Sequence, residues 1–152
     1  MPTPVSEALA MLARRPYTGR EVAERLKKKG RTAAEVEEAL AALSRMGVLD
    51  DLEAARATVR HRRRVPRGRR AVAHELYRRG VPPDAVEEAL ADYDEMELAV
   101  ALAGRERQRG RHFAQAARSL SQRAFPPSVA AAALERAYGQ SPDIGPSSDD
   151  GS

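Results

Sequence analysis

Arginine is the residue type in this chain whose number and spacing could do chemistry. Seven arginines occupy eleven consecutive positions that contain no acidic residue, and this first arginine run is Arg60, Arg62, Arg63, Arg64, Arg67, Arg69 and Arg70. A guanidinium group binds phosphate or carboxylate through planar pairs of N–H donors. Because an uncompensated run of this kind costs self-repulsion, we favour a polyanion or an acidic protein as partner over a merely solvated face.

A second, weaker run follows about forty residues later, where Glu106 dilutes the charge. This second arginine run is Arg105, Arg107, Arg109 and Arg111. The two runs lie near equivalent boundaries of the repeats described below, so they could line one ridge or groove. No aromatic residues are interleaved with the arginines in the manner that stacks single-stranded bases, so base specificity is not indicated.

The remaining polar residues predict no catalytic or metal site. His61, His74 and His112 are scattered, and none is paired at ligand spacing with a carboxylate or cysteine. The paired acids Glu37–Glu38 and Glu87–Glu88 are expected on exposed helix faces, where they offset basic charge. No glycine-rich loop follows a strand. We therefore expect no enzymatic activity.

The elements that must position the arginines are repeated along the chain. Arg20–Ala41 and Arg70–Ala91 are identical at half of their positions, including Leu26 with Leu76 and Gly30 with Gly80. A fainter third copy aligns Leu120 with Leu76. Self-similarity at a fixed period predicts a stack of like units whose neighbours bury each other's apolar faces.

Each unit reads as helical. Thr18 with Glu21 and Thr32 with Glu35 form capping boxes, and Asp50 with Glu53 and Asp94 with Glu97 have the same spacing. Glycines such as Gly30 and Gly80 are placed to end helices. The predicted fold class is all-α, with three tandem three-helix repeats forming an elongated, curved array in which the third repeat is shortened.

The pattern divides the chain into five segments. They are an N-terminal helix of repeat 1 at 1–17, repeat 1 at 18–65, repeat 2 at 66–110, an incomplete repeat 3 at 111–139, and a disordered tail at 140–152. The tail prediction follows from a low content of apolar residues.

Bulk properties narrow the setting. The chain has 152 residues, a formal net charge of +4 and no cysteine, which agrees with a reducing compartment. No apolar run approaches the roughly 20 residues of a membrane span. We expect a cytoplasmic protein without a membrane partner, acting as a monomer.

One stretch carries a resemblance to a known family. Val48–Leu76 contains Leu49-Asp50-Asp51, then Val59-Arg60-His61-Arg62, then Gly68, and finally Glu75-Leu76. This order resembles the RecX family of recombination regulators, and the resemblance extends over about residues 8–138. Departures from the family pattern are Glu53-Ala54 in place of Arg-Phe, Arg69 in place of Pro, Ala71 in place of a basic residue, and Ala124 in place of Gly.

The resemblance implies a specific role. RecX-like proteins are cytoplasmic, all-helical and free of cofactors. They bind the filament of the RecA recombinase along its helical groove, oppose filament growth, ATP hydrolysis and strand exchange, and dampen the DNA-damage response. Matched to the family pattern, Arg60, Arg62 and Arg70 are the first candidates for contact. The other members of both arginine runs are candidates on charge alone.

A second hypothesis stays open on the residues themselves. The helix pairs with tight turns at Gly30 and Gly80 could pass for helix-turn-helix units of a basic DNA-binding protein that acts by competing for DNA. Weak, non-specific binding to single- and double-stranded DNA is compatible with either reading. An enzyme is disfavoured because the sequence offers no catalytic constellation.

Overall fold

A computed structural model of the chain describes residues 1–139, and within that range every regular element is an α-helix. The nine helices described are α1 (Pro4–Leu12), α2 (Gly19–Lys28), α3 (Ala33–Arg45), α4 (Asp51–Arg64), α5 (Arg69–Arg78), α6 (Pro83–Ala89), α7 (Glu95–Gln108), α8 (Phe113–Gln122) and α9 (Pro127–Tyr138). The all-α prediction is confirmed. The tail prediction for 140–152 lies outside the described residues.

Side-chain caps explain where several helices begin. Thr18 and Thr32 each accept a hydrogen bond from the backbone N–H three residues on, and Glu21 and Glu35 each accept one from the threonine N–H, so both predicted capping boxes are confirmed. Asp50 accepts from the N–H of Glu53, but the Glu53 carboxylate turns to Arg60 instead. That cap is therefore one-sided.

The turns that end α2 and α5 are equivalent. Gly30 and Gly80 both have a φ of 92°, a left-handed conformation that costs glycine little because it lacks a Cβ atom. The matching position after α8 is Ala124, which adopts a φ of 64° despite its side chain. The third copy thus keeps the backbone turn of the first two without keeping the glycine.

The chain divides into two compact units. Unit one comprises residues 1–60 and 73–91, and unit two comprises residues 61–72 and the described residues from 92 onward. Two of the three boundaries fall inside α4 and α5, and the third falls between α6 and α7. The division of the sequence into repeats at 17, 65 and 110 remains a prediction.

Apolar stripes of three helices form a core in unit one. Helices α1, α2 and α3 pack on one another through buried residues of each helix: Ala8, Val22, Leu26, Val36, Ala39 and Leu43. The stripe spacing is that of an amphipathic helix, and burying one such Leu or Val side chain contributes about 1.5–3 kcal/mol to folding.

A second core lies in unit two, where α7 packs against both α8 and α9. Its buried residues are Ala99, Leu102, Ala103, Ala116, Leu120, Phe125, Ala133 and Leu134. Half of them are alanine, so the helices carry few large side chains between them. This core fixes α7 and α8. Arg105 and Arg107 of the second arginine run lie at the end of α7, and Arg109 and Arg111 lie in the link between the two helices.

Candidate polyanion-binding site

The first arginine run spans the end of one helix and the start of the next. Arg60, Arg62, Arg63 and Arg64 lie in the last turns of α4, where cations are favoured by the helix dipole. Arg67 lies in the link, and Arg69 and Arg70 open α5. Arg60 belongs to unit one and the other six arginines to unit two.

Part of this run is tied to the protein itself. The Nη2 atom of Arg60 lies 2.8 Å from Oε2 of Glu53 in an exposed ion pair. The backbone N–H of Arg69 donates to Oε2 of Glu95 at 2.7 Å, and its Nη1 donates to the carbonyl of Tyr93 at 3.3 Å. Arg69 therefore helps to anchor the start of α5 to the start of α7.

Tyr93 clamps the link between α4 and α5 from within unit two. Its hydroxyl donates to the carbonyl of Arg67 at 2.6 Å and accepts from the backbone N–H of Arg67 at 3.3 Å. Burial is the main cause that raises the pKa of Tyr93, so the hydroxyl keeps its proton to donate. The clamp uses only the backbone of Arg67 and leaves its side chain out of these hydrogen bonds.

Three arginines of the first run present guanidinium groups that are not engaged internally. Arg63, Arg64 and Arg70 are exposed, and none makes a side-chain hydrogen bond or ion pair with any residue in 1–139. Such groups keep all five N–H donors for water or a partner. These positions are the most available members of the candidate site.

The second arginine run is divided between structural and available side chains. Arg107 donates from Nη1 to the carbonyl of Ala137 at 2.6 Å, which attaches α7 to α9. Arg105 is exposed and makes no side-chain hydrogen bond or ion pair within the described part of the chain. The prediction that the two arginine runs line one ridge remains a prediction.

Arg109 and Arg111 both lie close to Glu106, the acidic residue within the second arginine run. Glu106 is 4% exposed, and its carboxylate oxygens lie 3.7 Å from Nη1 of Arg109 and 3.7 Å from Nη1 of Arg111. Arg118 and Arg123 line the same recess. Neither belonged to a run of basic residues, so charge clustering along the sequence missed them, although an exposed-face spacing on α8 could have indicated Arg118.

A further arginine missed by the sequence reading is structural. Arg79 directly follows the last residue of α5. Its Nε atom lies 2.8 Å from Oε2 of Glu21, and its Nη2 atom lies 2.9 Å from Oε1 of the same residue. Arg79 also donates to Thr58 and to the carbonyl of Pro16. These contacts join Arg79 to residues between 21 and 63 positions away inside unit one, so no local pattern could predict them.

Within residues 1–139 no group of three or more His, Asp or Glu side chains is placed to hold a metal ion. Nor does any helix in that range combine the length and apolar character needed to cross a membrane. The candidate site thus consists of arginines that differ in how firmly the fold engages them.

Comparison with known proteins shows the family of this chain. A model described as the first three-helix domain of RecX matches residues 6–43, and a model described as the second three-helix domain of RecX matches residues 50–90. A protein named Regulatory protein RecX from a strain of Thermus thermophilus is 44% identical over 126 residues, covering 81% of this chain and 84% of that protein. The chain belongs to the RecX family.

Other RecX relatives match over a shorter length. Regulatory protein RecX of Halorhodospira halophila is 40% identical over 103 residues, and that of Prosthecochloris aestuarii is 37% identical over 91 residues. These matches cover 68% and 59% of this chain. The chain spans only 64% and 60% of the length of these two relatives.

Solved RecX structures share the fold. The crystal structure of RecX from Lactobacillus salivarius superposes with a TM-score of 0.72 at 20% identity, covering 88% of this chain and 93% of that one. A second crystal structure, of a regulatory protein RecX, gives 0.67 at 23% identity, covering 83% and 67%. Both fit a helical repeat array. The RecX models start a three-helix domain near α4, whereas our division places α4 at the end of repeat 1.

Proposed function

We propose that this RecX-family protein restrains the RecA recombinase by binding the RecA–DNA filament along its groove. In this proposal it opposes filament growth, ATP hydrolysis and strand exchange, and so modulates recombinational repair and the damage response. The observation that carries the proposal is the tandem match to both RecX three-helix domains over residues 6–43 and 50–90. The protein would act as a cytoplasmic monomer, without catalysis or a cofactor.

The arginine runs support the chemical side of this proposal. A filament of protein on DNA offers phosphates and acidic side chains, which are the groups that exposed guanidinium groups bind. Arg63, Arg64 and Arg70 are exposed and retain their donors, as described above. Arg60, Arg62 and Arg70 match the family pattern by position and remain the first candidates for contact.

The same exposed arginines favour one alternative, in which the protein competes with RecA for DNA directly. The two hypotheses differ in stoichiometry. A regulator of the filament inhibits at a small fraction of the RecA concentration, whereas a competitor must cover the DNA. Competition for single strands through about four phosphate contacts would also give a log–log salt slope near −3.

The test is the rate of ATP hydrolysis by the cognate RecA on single-stranded DNA while this protein is added substoichiometrically. We expect a steep fall in rate at a small fraction of the RecA concentration. A fall that begins only when the DNA is saturated would support competition for DNA instead. An unchanged rate at every concentration would contradict both forms of the proposal.

Replacing Arg60, Arg62 and Arg70 by alanine tests which residues act. We expect the concentration for half-inhibition to rise by about tenfold, equivalent to about 1.4 kcal/mol of binding free energy. Helix content by circular dichroism should not change, because these side chains lie outside the buried stripes. The matched control replaces Lys27, Lys28 and Lys29, which removes the same charge from the exposed end of α2. Equal loss in the control would mean that net charge alone matters.

A further inference from the structure

A recess in unit two lies beside the end of α7 and along α8. Its volume is about 360 Å³, and it is lined by Glu106, Arg109, Arg111, Gln115, Arg118, Ser119, Gln122 and Arg123. We call it the arginine cleft. No aromatic or aliphatic side chain among residues 1–139 lines it, so it offers little apolar surface to a hydrophobic ligand.

The arginine cleft concentrates positive charge. Four guanidinium groups face one carboxylate, so the lining carries a net positive charge when every group is ionised. A concave, basic surface focuses the field and attracts anions. Arginine in particular suits phosphate, since its forked N–H donors match two phosphate oxygens at once.

Glu106 gives the cleft a second feature that points to a ligand. The residue is 4% exposed, and its Oε1 atom has no hydrogen-bond partner among the described residues. The nearest cationic atom, Nη1 of Arg111, lies 3.7 Å away, which is outside hydrogen-bond distance. A buried acceptor without a donor is costly in a folded protein, so a ligand that brings an N–H or O–H group to Oε1 would remove that cost.

We propose that the arginine cleft binds a phosphate group of a nucleic-acid strand. Arg109, Arg111, Arg118 and Arg123 hold the phosphate oxygens, and Glu106 accepts a hydrogen bond from the adjoining nucleotide. The Glu106 carboxylate lies 3.7 Å from Nη1 of Arg109 and 3.7 Å from Nη1 of Arg111, and it attracts both guanidinium groups. Two of the four guanidinium groups thus lie near the same carboxylate, which lowers the cost of bringing them together around a phosphate.

The residues that line the cleft favour a nucleic-acid strand as the ligand over a segment of another protein. Protein interfaces are anchored at their centres by aromatic and apolar side chains in matching pockets, whereas this cleft is lined by guanidinium, amide, hydroxyl and carboxylate groups. The assignment to the DNA of a filament rests on the proposed function. The binding itself needs no RecA and can be measured without it.

The decisive variant is Arg118→Gln together with Arg123→Gln. Neither side chain makes a hydrogen bond or ion pair with any residue in 1–139, so the fold should tolerate both changes. The matched control is Arg45→Gln together with Arg136→Gln, which removes the same charge from exposed positions outside the cleft. Urea unfolding curves should be the same for both variants.

The measurement is the fluorescence anisotropy of a labelled oligothymidylate bound to the full chain over a series of salt concentrations. For the cleft variant we expect a Kd raised by about tenfold and a salt slope reduced by about 0.7, the share of one phosphate contact on a single strand. The control should stay within about threefold of the native Kd. Equal loss in both variants, or no loss in the cleft variant, would overturn the proposal.

Two further probes identify the source of the anion. If the cleft variant loses as much affinity for labelled polyglutamate as it does for the oligothymidylate, the cleft binds acidic protein, and the proposal is overturned. If inorganic pyrophosphate displaces the oligothymidylate at equal phosphate concentration, the cleft binds free anions, and the proposal is again overturned. Strand binding that depends on the cleft would support the proposal even if the native protein fails to inhibit RecA, an outcome that contradicts the proposed function alone.

Discussion

At the scale of residues, the arginines of this protein differ in what their guanidinium groups already hold. Arg79 makes four hydrogen bonds inside unit one, two of them to Glu21, and its side chain is 16% exposed. Arg63 and Arg64 are exposed at the end of α4 with no such bonds in residues 1–139. Position in the sequence does not separate these cases, since all are arginines near a helix end.

The pair formed by Arg79 and Glu21 predicts a particular pH dependence of stability. The Glu21 carboxylate is partly desolvated, which by itself raises its pKa, but hydrogen bonds from Arg79 and Thr18 outweigh the burial and hold the pKa below the usual value of 4.5. A carboxyl whose pKa is lower in the folded state stabilises the fold above its unfolded pKa. That contribution is lost as the pH falls through the folded pKa.

Replacing Glu21 by glutamine should therefore cost stability at neutral pH and little in acid. We expect the free energy of unfolding to fall by about 1–3 kcal/mol at pH 7, below the range for fully buried pairs because both side chains keep some contact with water. Glutamine preserves the capping hydrogen bond to Thr18, so the change isolates the charge. The difference from the native protein should shrink as the pH drops below about 4.5.

Urea unfolding followed by circular dichroism from pH 7 to pH 3 measures this difference. Glu24→Gln is the control, since Glu24 lies one turn further along α2 in an exposed ion pair with Arg20 at 3.9 Å. Its effect should stay within about 0.5 kcal/mol throughout. A cost for Glu21→Gln that does not vary with pH would show that packing, and not the charge, is what the carboxylate contributes.

At the scale of elements, a helix start packs against a helix end in the same way in each unit. In unit one Thr18, which caps α2, donates from its hydroxyl to the carbonyl of Arg79 at the end of α5. In unit two the backbone N–H of Gly68, just before α5, donates to the carbonyl of Arg123 at the end of α8 at 2.9 Å. The sequence repeat is thus also a repeat of tertiary contacts.

Gly68 is required by the closeness of this contact. A Cβ atom added at Gly68 would lie 2.1 Å from the carbonyl oxygen of Ala124. Because that neighbour is backbone, it cannot move aside as a flexible side chain can. Gly68→Ala should therefore destabilise the protein by about 2 kcal/mol or more, in the range of strained overpacking.

Gly104→Ala provides the opposite control for the Gly68 variant. Gly104 lies inside α7, and nothing stands within 4 Å of an added Cβ. Alanine there should stabilise the protein by about 0.5–1 kcal/mol because it favours the helix. Thermal unfolding of both variants gives the comparison. A Gly68→Ala protein as stable as the native one would mean that α5 and α8 can separate at this point.

Helices could be predicted from the sequence because their signals are local. Capping boxes at Thr18 and Thr32 and glycine turns at Gly30 and Gly80 each depend on a few neighbouring residues. The contacts between elements could not be predicted in this way. Glu53 has the spacing of a capping box, yet its carboxylate binds Arg60, and that choice depends on a residue two turns further along α4.

At the scale of the whole molecule, the composition and the repeat of the sequence predicted more than the positions of individual residues did. The repeat and the excess of arginine indicated an all-α binding protein, and its membership of the RecX family is confirmed. Only part of the arginine cleft could be predicted from the sequence. Arg109 and Arg111 lie in a run, but Arg118, Arg123 and the buried Glu106 join them only because α8 packs on α7.

The last prediction concerns residues 140–152, which carry Asp143, Asp149 and Asp150 and few apolar side chains. A chain ending at Gly139 keeps every described helix and both arginine runs, and it loses three negative charges. We therefore expect it to inhibit RecA with a half-inhibiting concentration within about twofold of that of the full chain. Any change should be towards tighter binding of DNA at low salt, because removing acidic residues raises the net positive charge.

Side-by-side ATP hydrolysis assays and oligothymidylate binding with the two chains provide the measurement. A clear loss of inhibition with unchanged DNA binding would place a contact for the RecA protein in residues 140–152, and would move the recognition of protein away from the arginines.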